Sequence, residues 1–438
     1  MDERGVDPVK APPPAAVSRR DLLAGAAAAA IALPLKAAGC GAGSASTPAS
    51  APVPARGPAG RRRLRELGIT LGSMRPGWWN AITDVPGVRV GHVTRIEGEG
   101  PLVPGRGPIR TGVTAILPAD DVYRAPVSAA RFTLNGNGEL TGLGRVDRSG
   151  LLEVPVLLTD TSNVGRVMNG AMTWLLESYE EIGATAPVPV PVVGETWAAF
   201  LHDAEGRHLG DDHVRAAIRA AASGPVAEGA VGGGTGMIAY GFKAGIGTSS
   251  RRLPESHGGY TVGVLVQANH GRRNQLRIDG VPVGMEIGDL APREGRKRKS
   301  KSILLVGATD APMLPEQLGR LCKRMAIGLA RTGATSMHGS GDLLLFFSTG
   351  LRARRGEPVV AAQIWNDEQI DVVLQAAVEA AEEAVLNALC MGETMTGIDG
   401  NTAHALPLER LPAIFKKYGR ALGPGETFGR GAPPGEKR

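Results

Sequence analysis

Lys301-Ser302-Ile303-Leu304-Leu305-Val306-Gly307-Ala308-Thr309-Asp310-Ala311-Pro312 is the stretch that decides the fold, because a hydroxyl residue stands where a basic loop turns into an apolar run. If the peptide bond before Ser302 is cut, the hydroxyl and the new α-amine belong to one residue. An α-amine has a pKa of roughly 7.7 to 8.0, so near neutral pH an appreciable fraction is a free base beside the nucleophile it activates. The alternative interpretation is that Ser302 merely begins a buried strand.

Two clusters of basic residues account for the formal net charge of +6. Residues 1–66 carry ten Lys or Arg against five Asp or Glu, and residues 293–301 carry six against one. Each cluster contributes +5, so the rest of the chain has a net charge of −4. A nucleic-acid-binding surface needs basic residues spread over a folded face, usually with aromatic platforms, and aromatics make up only 4% of this chain. We therefore predict no nucleic-acid partner.

The first 40 residues have the pattern of an export signal. Ser18-Arg19-Arg20-Asp21-Leu22-Leu23 precedes an alanine-rich apolar run that ends at Leu35. Paired arginines before such a run are typical of a twin-arginine signal, which a receptor reads as an address. The 14 residues from Leu22 to Leu35 are too few for a permanent membrane span, which needs about 20. We predict export by the twin-arginine route to the periplasm or the cell surface.

The three cysteines divide into one in the leader and two in the body of the chain. Ala37-Ala38-Gly39-Cys40 is a candidate lipoprotein cleavage site, with Cys40 acylated as a lipid anchor. The third position before Cys40 holds alanine where a larger aliphatic residue is usual, so lipidation and an unmodified Cys40 both stay open. Cys322 and Cys390 lie in helical patterns, which favours two buried thiols over a disulfide.

A low-complexity linker over residues 41–63 is predicted to join the leader to a single folded domain over residues 64–438. Short β-branched runs alternate there with glycine turns. Two helices are predicted, one from about Pro315 to Arg331 and one that begins after Asn366-Asp367. Strands covered by amphipathic helices fit a layered α/β or α+β architecture. The expected strands are Val88 to Val93, Gly112 to Leu117, Val154 to Leu158, Val188 to Val193, Tyr260 to Gln267, Ser302 to Gly307 and Leu343 to Phe347.

Two patterns argue against a bound phosphate or metal. Val231-Gly232-Gly233-Gly234-Thr235-Gly236 looks like a phosphate cradle, but the Lys-Ser/Thr pair of a P-loop does not follow it. A tight backbone passage bordering the active site and a plain loop are both open for this segment. The eight histidines show no metal-ligand spacing and the chain has no CxxC motif, so we predict neither a metal nor a cofactor.

Five short segments are distinctive in their joint order: Ile82-Thr83-Asp84-Val85-Pro86-Gly87-Val88-Arg89-Val90-Gly91-His92, Arg110-Thr111-Gly112-Val113-Thr114, Gln267-Ala268-Asn269, Ala308-Thr309-Asp310-Ala311-Pro312 and His338-Gly339-Ser340-Gly341-Asp342. Together they resemble the DmpA-type aminopeptidases, the serine-nucleophile family of L-aminopeptidase/D-amidase-esterases and β-peptidyl aminopeptidases. The resemblance covers roughly residues 67–430. It implies an α+β fold, a four-layer αββα sandwich similar to the N-terminal-nucleophile hydrolases, without a required metal. It also implies a homotetramer of αβ units.

The resemblance further implies cleavage into an α-chain ending at Lys301 and a β-chain starting at Ser302, the nucleophile. Ser340 and Asp342 match the positions that orient this serine in the family. Two residues apart on a strand, their side chains share one face, so Asp342 would hold Ser340 and Ser340 would hold the amine or hydroxyl of Ser302. A Gly-Ser-Gly-Asp turn that opens a strand is the alternative.

Asn269 matches the asparagine that stabilises the oxyanion in the family, a donor whose loss typically costs about 100- to 1,000-fold in turnover. Taken alone, Asn269 would be a strand-end turn former. Glu195-Thr196-Trp197 resembles a segment that lines the substrate site, where Glu195 would bind the substrate ammonium and Trp197 would form a wall. The alternative is a solvated glutamate beside a packed tryptophan. Some relatives have tyrosine in place of Trp197, and the indole N–H is differently placed, which leaves its part in the oxyanion site open.

Lys301 departs from the family, which usually has glycine before the serine. Self-cleavage by an N-to-O acyl shift benefits from a strained backbone, and lysine adopts fewer conformations than glycine. The basic run that ends at Lys301 suggests a second route, in which a trypsin-like protease cuts after Lys301 and leaves the same Ser302 terminus.

The function expected from these features is that of an exported serine aminopeptidase (EC 3.4.11.-). It would remove N-terminal residues from short peptides, amino-acid amides or esters through an acyl-enzyme. One alternative is an acyltransferase of the ornithine acetyltransferase type, which has a related fold and passes the acyl group to an amine. Another is an uncleaved, non-catalytic surface binding protein. The preference among L-, D- and β-residues stays open.

Overall fold

The computed structural model describes residues 60–292 and 301–429 as a mixture of strands and helices. Arg19, Arg20 and Cys40 lie outside the described residues, as does most of the predicted linker. The strands are β1 (Arg89–Glu97), β2 (Ile109–Leu117), β3 (Val127–Gly136), β4 (Leu151–Leu152), β5 (Val156–Asp160), β6 (Val192–Thr196), β7 (Ile238–Ala239), β8 (Phe242–Lys243), β9 (Ile246–Arg252), β10 (Thr261–Asn269), β11 (Lys301–Thr309), β12 (Ser340–Arg352), β13 (Met395–Thr396) and β14 (Thr402–Ala403). The α-helices are α1 (Leu143–Ser149), α2 (Val164–Ser178), α3 (Asp211–Arg219), α4 (Val283–Glu286), α5 (Pro315–Arg331), α6 (Asp371–Cys390) and α7 (Leu411–Lys417).

Two sheets contain most of the strands. The smaller sheet has the order β1-β2-β5-β6 and the larger sheet has the order β4-β3-β12-β11-β10-β9. The pairs β5 with β6 and β11 with β12 are parallel, whereas the other neighbours in these sheets are antiparallel. The strand that begins with Lys301 and Ser302 therefore lies in the middle of the larger sheet, between β10 and β12.

The two sheets stack face to face, and helices cover both outer faces. Side chains from both sheets form the inner core, for example Ile116 and Leu158 with Leu304 and Val306. Helices α2 and α3 cover the outer face of the smaller sheet, while α5 and α6 cover that of the larger sheet. Each apolar face is thereby buried against a neighbouring layer. These four layers confirm the αββα sandwich that the resemblance implies.

The alternation of side chains along β11 determines what its first residues face. Ile303 belongs to the core under α5 and α6, and Leu304 belongs to the core between the sheets. Because successive side chains of a strand point to opposite faces, Lys301 faces the helix layer and Ser302 faces the space between the sheets.

Most of the predicted elements are present, and one needs correction. Helix α5 has the predicted bounds, with Pro315 in its first turn. The strand predicted over Val188 to Val193 is wrong in its first half, because β6 runs from Val192 to Thr196. Prolines at positions 187, 189 and 191 lack the N–H that a ladder needs, so pairing begins only after the last of them.

Cys322 and Cys390 are free and fully buried, which confirms the prediction of two buried thiols. Within residues 60–292 and 301–429, none of the helices combines the length and the apolar character that a membrane crossing requires.

Candidate active site

Ser302 is held in the ladder between two strands. Its partner on β10 is Asn269 and its partner on β12 is Gly341. Ser302 is only 2% exposed. Its Oγ donates a hydrogen bond to the carbonyl oxygen of Lys301 at 2.8 Å and accepts one from the N–H of Gly341 at 3.3 Å. The hydroxyl therefore lies against the peptide bond whose cleavage the sequence predicts.

Asn269, the last residue of β10, faces the same side of the sheet as Ser302, since the two are paired across the ladder. Its Oδ1 accepts from the N–H of Ile238 at 2.9 Å, and its Nδ2 donates to the carbonyl oxygen of Trp197 at 3.0 Å. A backbone N–H only donates, so these contacts fix which end of the amide is oxygen. Nδ2 carries a second hydrogen, and on the face shared with Ser302 an oxyanion would require such a donor.

Glu195 reaches the same region from β6 of the smaller sheet. Gly138 lies between the carboxylate of Glu195 and Gly341. A Cβ added to Gly138 would lie 3.1 Å from Oε1 of Glu195 and 3.0 Å from the Cα of Gly341, so both neighbours pack closely against it. Gly341 in turn contacts the hydroxyl of Ser302. Gly138 has no motif around it in the sequence, and only its packing between Glu195 and Gly341 reveals it.

The carboxylate of Glu195 is buried and is held by two hydrogen bonds. Oε1 accepts from the N–H of Glu139 at 3.1 Å, and Oε2 accepts from the hydroxyl of Thr161. Burial raises the pKa of Glu195, the two hydrogen bonds oppose this, and the nearby charges of Asp160 and Glu139 raise the pKa further. A carboxylate in this environment gains most from a positively charged neighbour, such as the ammonium group of a ligand.

Trp197 contacts Asn269 through its main chain, by accepting the Nδ2 hydrogen bond at its carbonyl oxygen. Its neighbour Thr196 is tied to the larger sheet, because its Oγ1 accepts from Nε2 of Gln267 at 2.8 Å. The Glu195-Thr196-Trp197 segment therefore bridges the two sheets next to Ser302. The role of the indole ring as a substrate wall stays a prediction.

Ser340 and Asp342 share the opposite face of the sheet, toward the helix layer. The Oγ of Ser340 donates to Oδ1 of Asp342 at 2.5 Å, the contact that their spacing predicts. Ser340 is paired with Lys301 across the parallel ladder, so it lies beside the peptide bond between Lys301 and Ser302. The hydroxyl of Ser302 points to the other face, and its contacts are with Lys301 and Gly341 instead.

Asp342 has a further partner that the sequence analysis missed. Burial raises its pKa, and hydrogen bonds from the side chains of Ser340 and Ser336 and from the backbone of Ile303 oppose that shift. Ser336 has a φ of 42°, in the left-handed region that residues other than glycine rarely adopt. Such strain has no signature in a single sequence, which is why Ser336 was not a candidate.

A cavity of about 10 Å³, enough for about one water molecule, lies on the helix side of this ladder. Its walls include His270, Lys301, Ser340 and Asp342. Burial lowers the pKa of His270 to about 3, and the charge of Lys301 adds to the effect. A histidine with this pKa is too weak a base to activate a hydroxyl efficiently at neutral pH.

The glycine-rich segment forms a tight turn between the two sheets. Gly232–Gly234 is a short 3-10 helix, and a Cβ placed on Gly233 would lie 2.1 Å from Oε1 of Gln267 and 2.6 Å from the carbonyl oxygen of Leu158. Only glycine fits where two backbones approach so closely. The structure shows the tight backbone passage, and its place at the border of the active site stays a prediction.

A wider cleft, of about 810 Å³, lies elsewhere, near Trp78, Trp79 and Arg252. It includes none of the predicted site residues. The described ranges, 60–292 and 301–429, also contain no group of three or more His, Cys, Asp or Glu arranged to hold a metal ion.

The four-layer αββα sandwich, with a buried serine near the start of a central strand, places this protein in the class of folds that are similar to the N-terminal-nucleophile hydrolases. The model of peptidase family S58 matches residues 80–403, and the chain belongs to this family. It is 46% identical over 368 residues to beta-peptidyl aminopeptidase BapA of Sphingosinicella xenopeptidilytica, an alignment that covers 81% of this chain and 91% of that protein.

Solved structures give the same result. The L-aminopeptidase D-Ala-esterase/amidase of Ochrobactrum anthropi, described as a prototype for the serine aminopeptidases and a variant of the Ntn hydrolase fold, is 41% identical with a TM-score of 0.76. A beta-aminopeptidase of Burkholderia sp. is 42% identical with a TM-score of 0.75. Each comparison covers 82% of this chain and 99% of the other. The DmpA-type resemblance is therefore confirmed, and the chain is a member of a family of serine-type aminopeptidases that act on peptide bonds.

Proposed function

We propose that this chain is a serine aminopeptidase that is matured by cleavage before Ser302 and then uses the new α-amine as the base for the Ser302 hydroxyl. One observation carries the proposal: Oγ of Ser302 lies 2.8 Å from the carbonyl oxygen of Lys301. The weak basicity of His270, the buried histidine on the other side of the ladder, supports the α-amine in the role of base.

Maturation begins when Oγ of Ser302 attacks the carbonyl carbon of Lys301. An O–C bond forms, the C–N bond to Ser302 breaks, and the leaving amine takes up the hydroxyl proton. Water then hydrolyses the resulting ester, which leaves a carboxylate on Lys301 and a free hydroxyl and amine on Ser302. Lys301 is in an extended strand, which any residue adopts, so the lack of glycine at this position is compatible with the reaction.

Burial of the bond favours this intramolecular route over cleavage by a trypsin-like protease. Ser302 is paired with β10 and β12 and is almost fully buried. Proteases cut preferentially at exposed, poorly ordered loop tips, and residues within a sheet must first be pulled out of it. The second route suggested by the basic run would therefore require local unfolding of β11.

In the mature enzyme, the α-amine takes the proton of Ser302 Oγ as the oxygen attacks the substrate carbonyl. Nδ2 of Asn269 donates to the oxyanion, and the protonated amine then gives its proton to the leaving amine of the substrate. Water then attacks the acyl-enzyme while the α-amine takes its proton. The ester bond to Oγ breaks, and Oγ takes the proton back from the amine. In this proposal Ser340 binds the α-amine rather than the hydroxyl. Its pairing with Lys301 beside the cleaved bond and its hydrogen bond to Asp342 support this role.

Glu195 supplies selectivity for a free amino terminus in this proposal, since its buried carboxylate lies two contacts from Ser302 through Gly138 and Gly341. The substrates are short peptides, amino-acid amides or esters. Similarity to proteins named beta-peptidyl aminopeptidases supports acceptance of N-terminal β-residues as well. Comparing kcat/KM for β-alanine p-nitroanilide with that for L-alanine p-nitroanilide tests this extension.

The leader adds proposals about location and assembly. Residues 1–40 would direct export by the twin-arginine route to the periplasm or cell surface, and Cys40 would carry a lipid anchor if it is acylated.

Arg19→Lys combined with Arg20→Lys should retain the precursor in the cytoplasm. Cys40→Ser should release a membrane-bound protein, and native mass should show whether the αβ units form a homotetramer.

The decisive experiment is the intact mass and activity of Ser302→Ala. The variant lacks the oxygen for both the acyl shift and acyl transfer, so one uncleaved chain without aminopeptidase activity is expected. Cleavage of Ser302→Ala after Lys301 would show that an outside protease matures the protein. Near-normal turnover of an amino-acid amide by this variant would refute Ser302 as the nucleophile.

A further inference from the structure

Lys243 is a buried lysine for which the proposed reaction has no direct use. It is the last residue of β8, and its side chain is 0% exposed. Its Nζ donates to three backbone carbonyl oxygens, those of Gly234 at 3.3 Å, Met237 at 3.0 Å and Ala244 at 2.6 Å. Three donated hydrogen bonds use all three hydrogens of an ammonium group, which is the protonated form.

The contact with Met237 leads directly to Asn269. The carbonyl group of Met237 and the N–H of Ile238 belong to the same peptide unit, and that N–H donates to Oδ1 of Asn269 at 2.9 Å. An ammonium group on the carbonyl end fixes the peptide plane and polarises it, which strengthens the N–H as a donor. The N–H of Ala244 also donates to the carbonyl oxygen of Met237, at 3.0 Å. The peptide that orients the Asn269 amide is therefore held by two donors, and Lys243 is the charged one.

We infer that Lys243 is a positioning residue, which acts on the reaction through the Met237–Ile238 peptide and the Asn269 amide. Lys243 does not approach the substrate in this arrangement. It sets the direction of the donor Nδ2, and a displaced donor stabilises an oxyanion poorly even when the asparagine itself is intact. The inference rests on the proposed function, because it requires Asn269 to act in catalysis.

Burial also explains why the ammonium group of Lys243 needs several hydrogen-bond acceptors. Burial lowers the pKa of Lys243 to about 7, and the charge of Glu393 opposes the shift. A charge in such a site is retained only when hydrogen bonds compensate for lost water, and here three carbonyl groups do so. If this side chain only filled space, leucine or methionine would fill it without the cost of burying a charge.

The test is a double-mutant cycle with Lys243→Met, which keeps the aliphatic length and removes the ammonium, and Asn269→Ala. Chain cleavage is checked first by mass, and kcat is normalised to the cleaved protein. Asn269→Ala should lower kcat about 100- to 1,000-fold. Lys243→Met should lower kcat about 10- to 100-fold with little change in KM. In the Asn269→Ala background, the same change should cost no more than about twofold, the scatter usual for sites without coupling.

Arg273→Met is the matched control. Arg273 also binds carbonyl groups of this hairpin, those of Tyr240 at 3.0 Å and Gly241 at 2.6 Å, but not that of Met237. Its removal should leave kcat close to the value of the unmodified protein. A loss equal to that of Lys243→Met would mean that both variants act by destabilising the hairpin of β7 and β8, and this result would overturn the inference.

Two further outcomes separate the inference from the proposed function. An equal loss from Lys243→Met in both backgrounds, or none in either, overturns the positioning role while leaving Asn269 in catalysis. Full activity of Asn269→Ala refutes the proposed role of Asn269, and the inference falls with it. If Lys243→Met does not fold, Lys243→Gln replaces it in the cycle: its amide keeps two donors but lacks the charge, so kcat should fall by less than about 10- to 100-fold. The loss should again be absent in the Asn269→Ala background, and an equal loss in both backgrounds, or none in either, overturns the inference.

Discussion

At the scale of single residues, the candidate site combines close packing with buried charge. Gly138 and Gly341 bring the Glu195 carboxylate and the Ser302 hydroxyl to within two contacts of each other, which larger side chains would prevent. Thr161 and the backbone of Glu139 hold the carboxylate in place. Burial, the largest cause, raises the pKa of this fixed carboxylate, and a cation beside it would lower the pKa again.

Glu195→Gln should weaken the use of substrates with a free amine and leave folding and chain cleavage intact. The substitution keeps the shape and removes the charge of a hydrogen bond worth roughly 1.5 to 3 kcal/mol, so kcat/KM should fall about 10- to 150-fold. Glu139→Gln, which keeps the backbone N–H that donates to Glu195, is the control and should have little effect. An equal loss on an N-acetylated substrate would show that Glu195 has a structural role.

The pH dependence of kcat/KM should report the same carboxylate. Because the pKa of Glu195 is raised above its ordinary value, the group becomes neutral at a higher pH than an exposed glutamate does. For free-amine substrates, kcat/KM should fall as the pH decreases through this raised pKa. Protonation of the Ser302 α-amine, the proposed base, causes a separate fall that both proteins should share. The additional fall due to Glu195 should be absent in Glu195→Gln, and identical profiles for the two proteins would assign it to another group.

At the scale of secondary-structure elements, β11 links folding to the proposed maturation. Its first two residues flank the bond to be cut, and the ladder with β12 aligns that bond with Ser340 on one side of the sheet. Pairing with β10 brings Asn269 to the other side, next to Ser302. In the proposed maturation, formation of this strand therefore assembles the cleavage site.

Lys301→Ala should leave maturation in place at a comparable rate. Alanine removes the tryptic recognition side chain but preserves an extended backbone, so an intramolecular reaction proceeds while a trypsin-like protease loses its site. Mass measured over time in purified precursor should show first-order cleavage whose rate constant is independent of protein concentration. Persistence of the uncut chain in Lys301→Ala, together with cleavage of Ser302→Ala, would instead establish the external protease.

The sequence predicts those elements whose apolar pattern is regular and misses those stabilised by polar contacts. Helix α5 and strand β10 have periodic apolar residues and were predicted. Strand β9 reads Ile-Gly-Thr-Ser-Ser-Arg-Arg, a polar pattern, yet six of its seven residues are buried. Its Arg251 is fully buried and bonded to two glutamates of α6, which are distant in sequence. Burial of this kind depends on tertiary partners that a local pattern does not contain.

In the candidate site, too, some residues could be predicted from motifs, whereas others depend on contacts between distant segments. Ser302, Asn269 and Glu195 could be predicted because the family motifs contain them, and the structure brings them together. Gly138 and Lys243 matter through distances to other segments, which no spacing in the chain encodes. The placement of Ser340 and Ser302 on opposite faces also required the observed register between β11 and β12.

At the scale of the whole molecule, a buried ion-pair network joins the start of the described chain to the helix layer. Glu383 of α6 accepts from Nε of Arg65 at 2.8 Å, from Nη2 of Arg251 at 2.8 Å and from Nδ2 of Asn80 at 2.5 Å. Arg251 also pairs with Glu379 at 3.1 Å. One carboxylate thereby connects segments that are more than 300 residues apart in sequence.

Glu383→Gln should lower the free energy of unfolding by about 3 to 5 kcal/mol, because it leaves two buried guanidinium groups without their shared charge. Glu382→Gln, one residue earlier on α6, is the matched control. Glu382 pairs with the half-exposed Arg331 at 3.3 Å, so its substitution should cost no more than about 1 kcal/mol. Urea unfolding of both variants measures the difference, and a cost below that of the control would remove the network from the account of stability.

Acid should reveal the same carboxylate in the unmodified protein. Burial alone raises the pKa of Glu383, but the charges of Arg251 and Arg65 overcome it and lower the pKa to about 2. A folded-state pKa below the unfolded value means that the stabilisation is fully present above about pH 4.5 and is lost as the pH falls toward 2. The free energy of unfolding should therefore decline between these values in the unmodified protein. Glu383→Gln should show a shallower decline, since its amide does not titrate, and parallel curves for the two proteins would assign the acid sensitivity to other carboxylates.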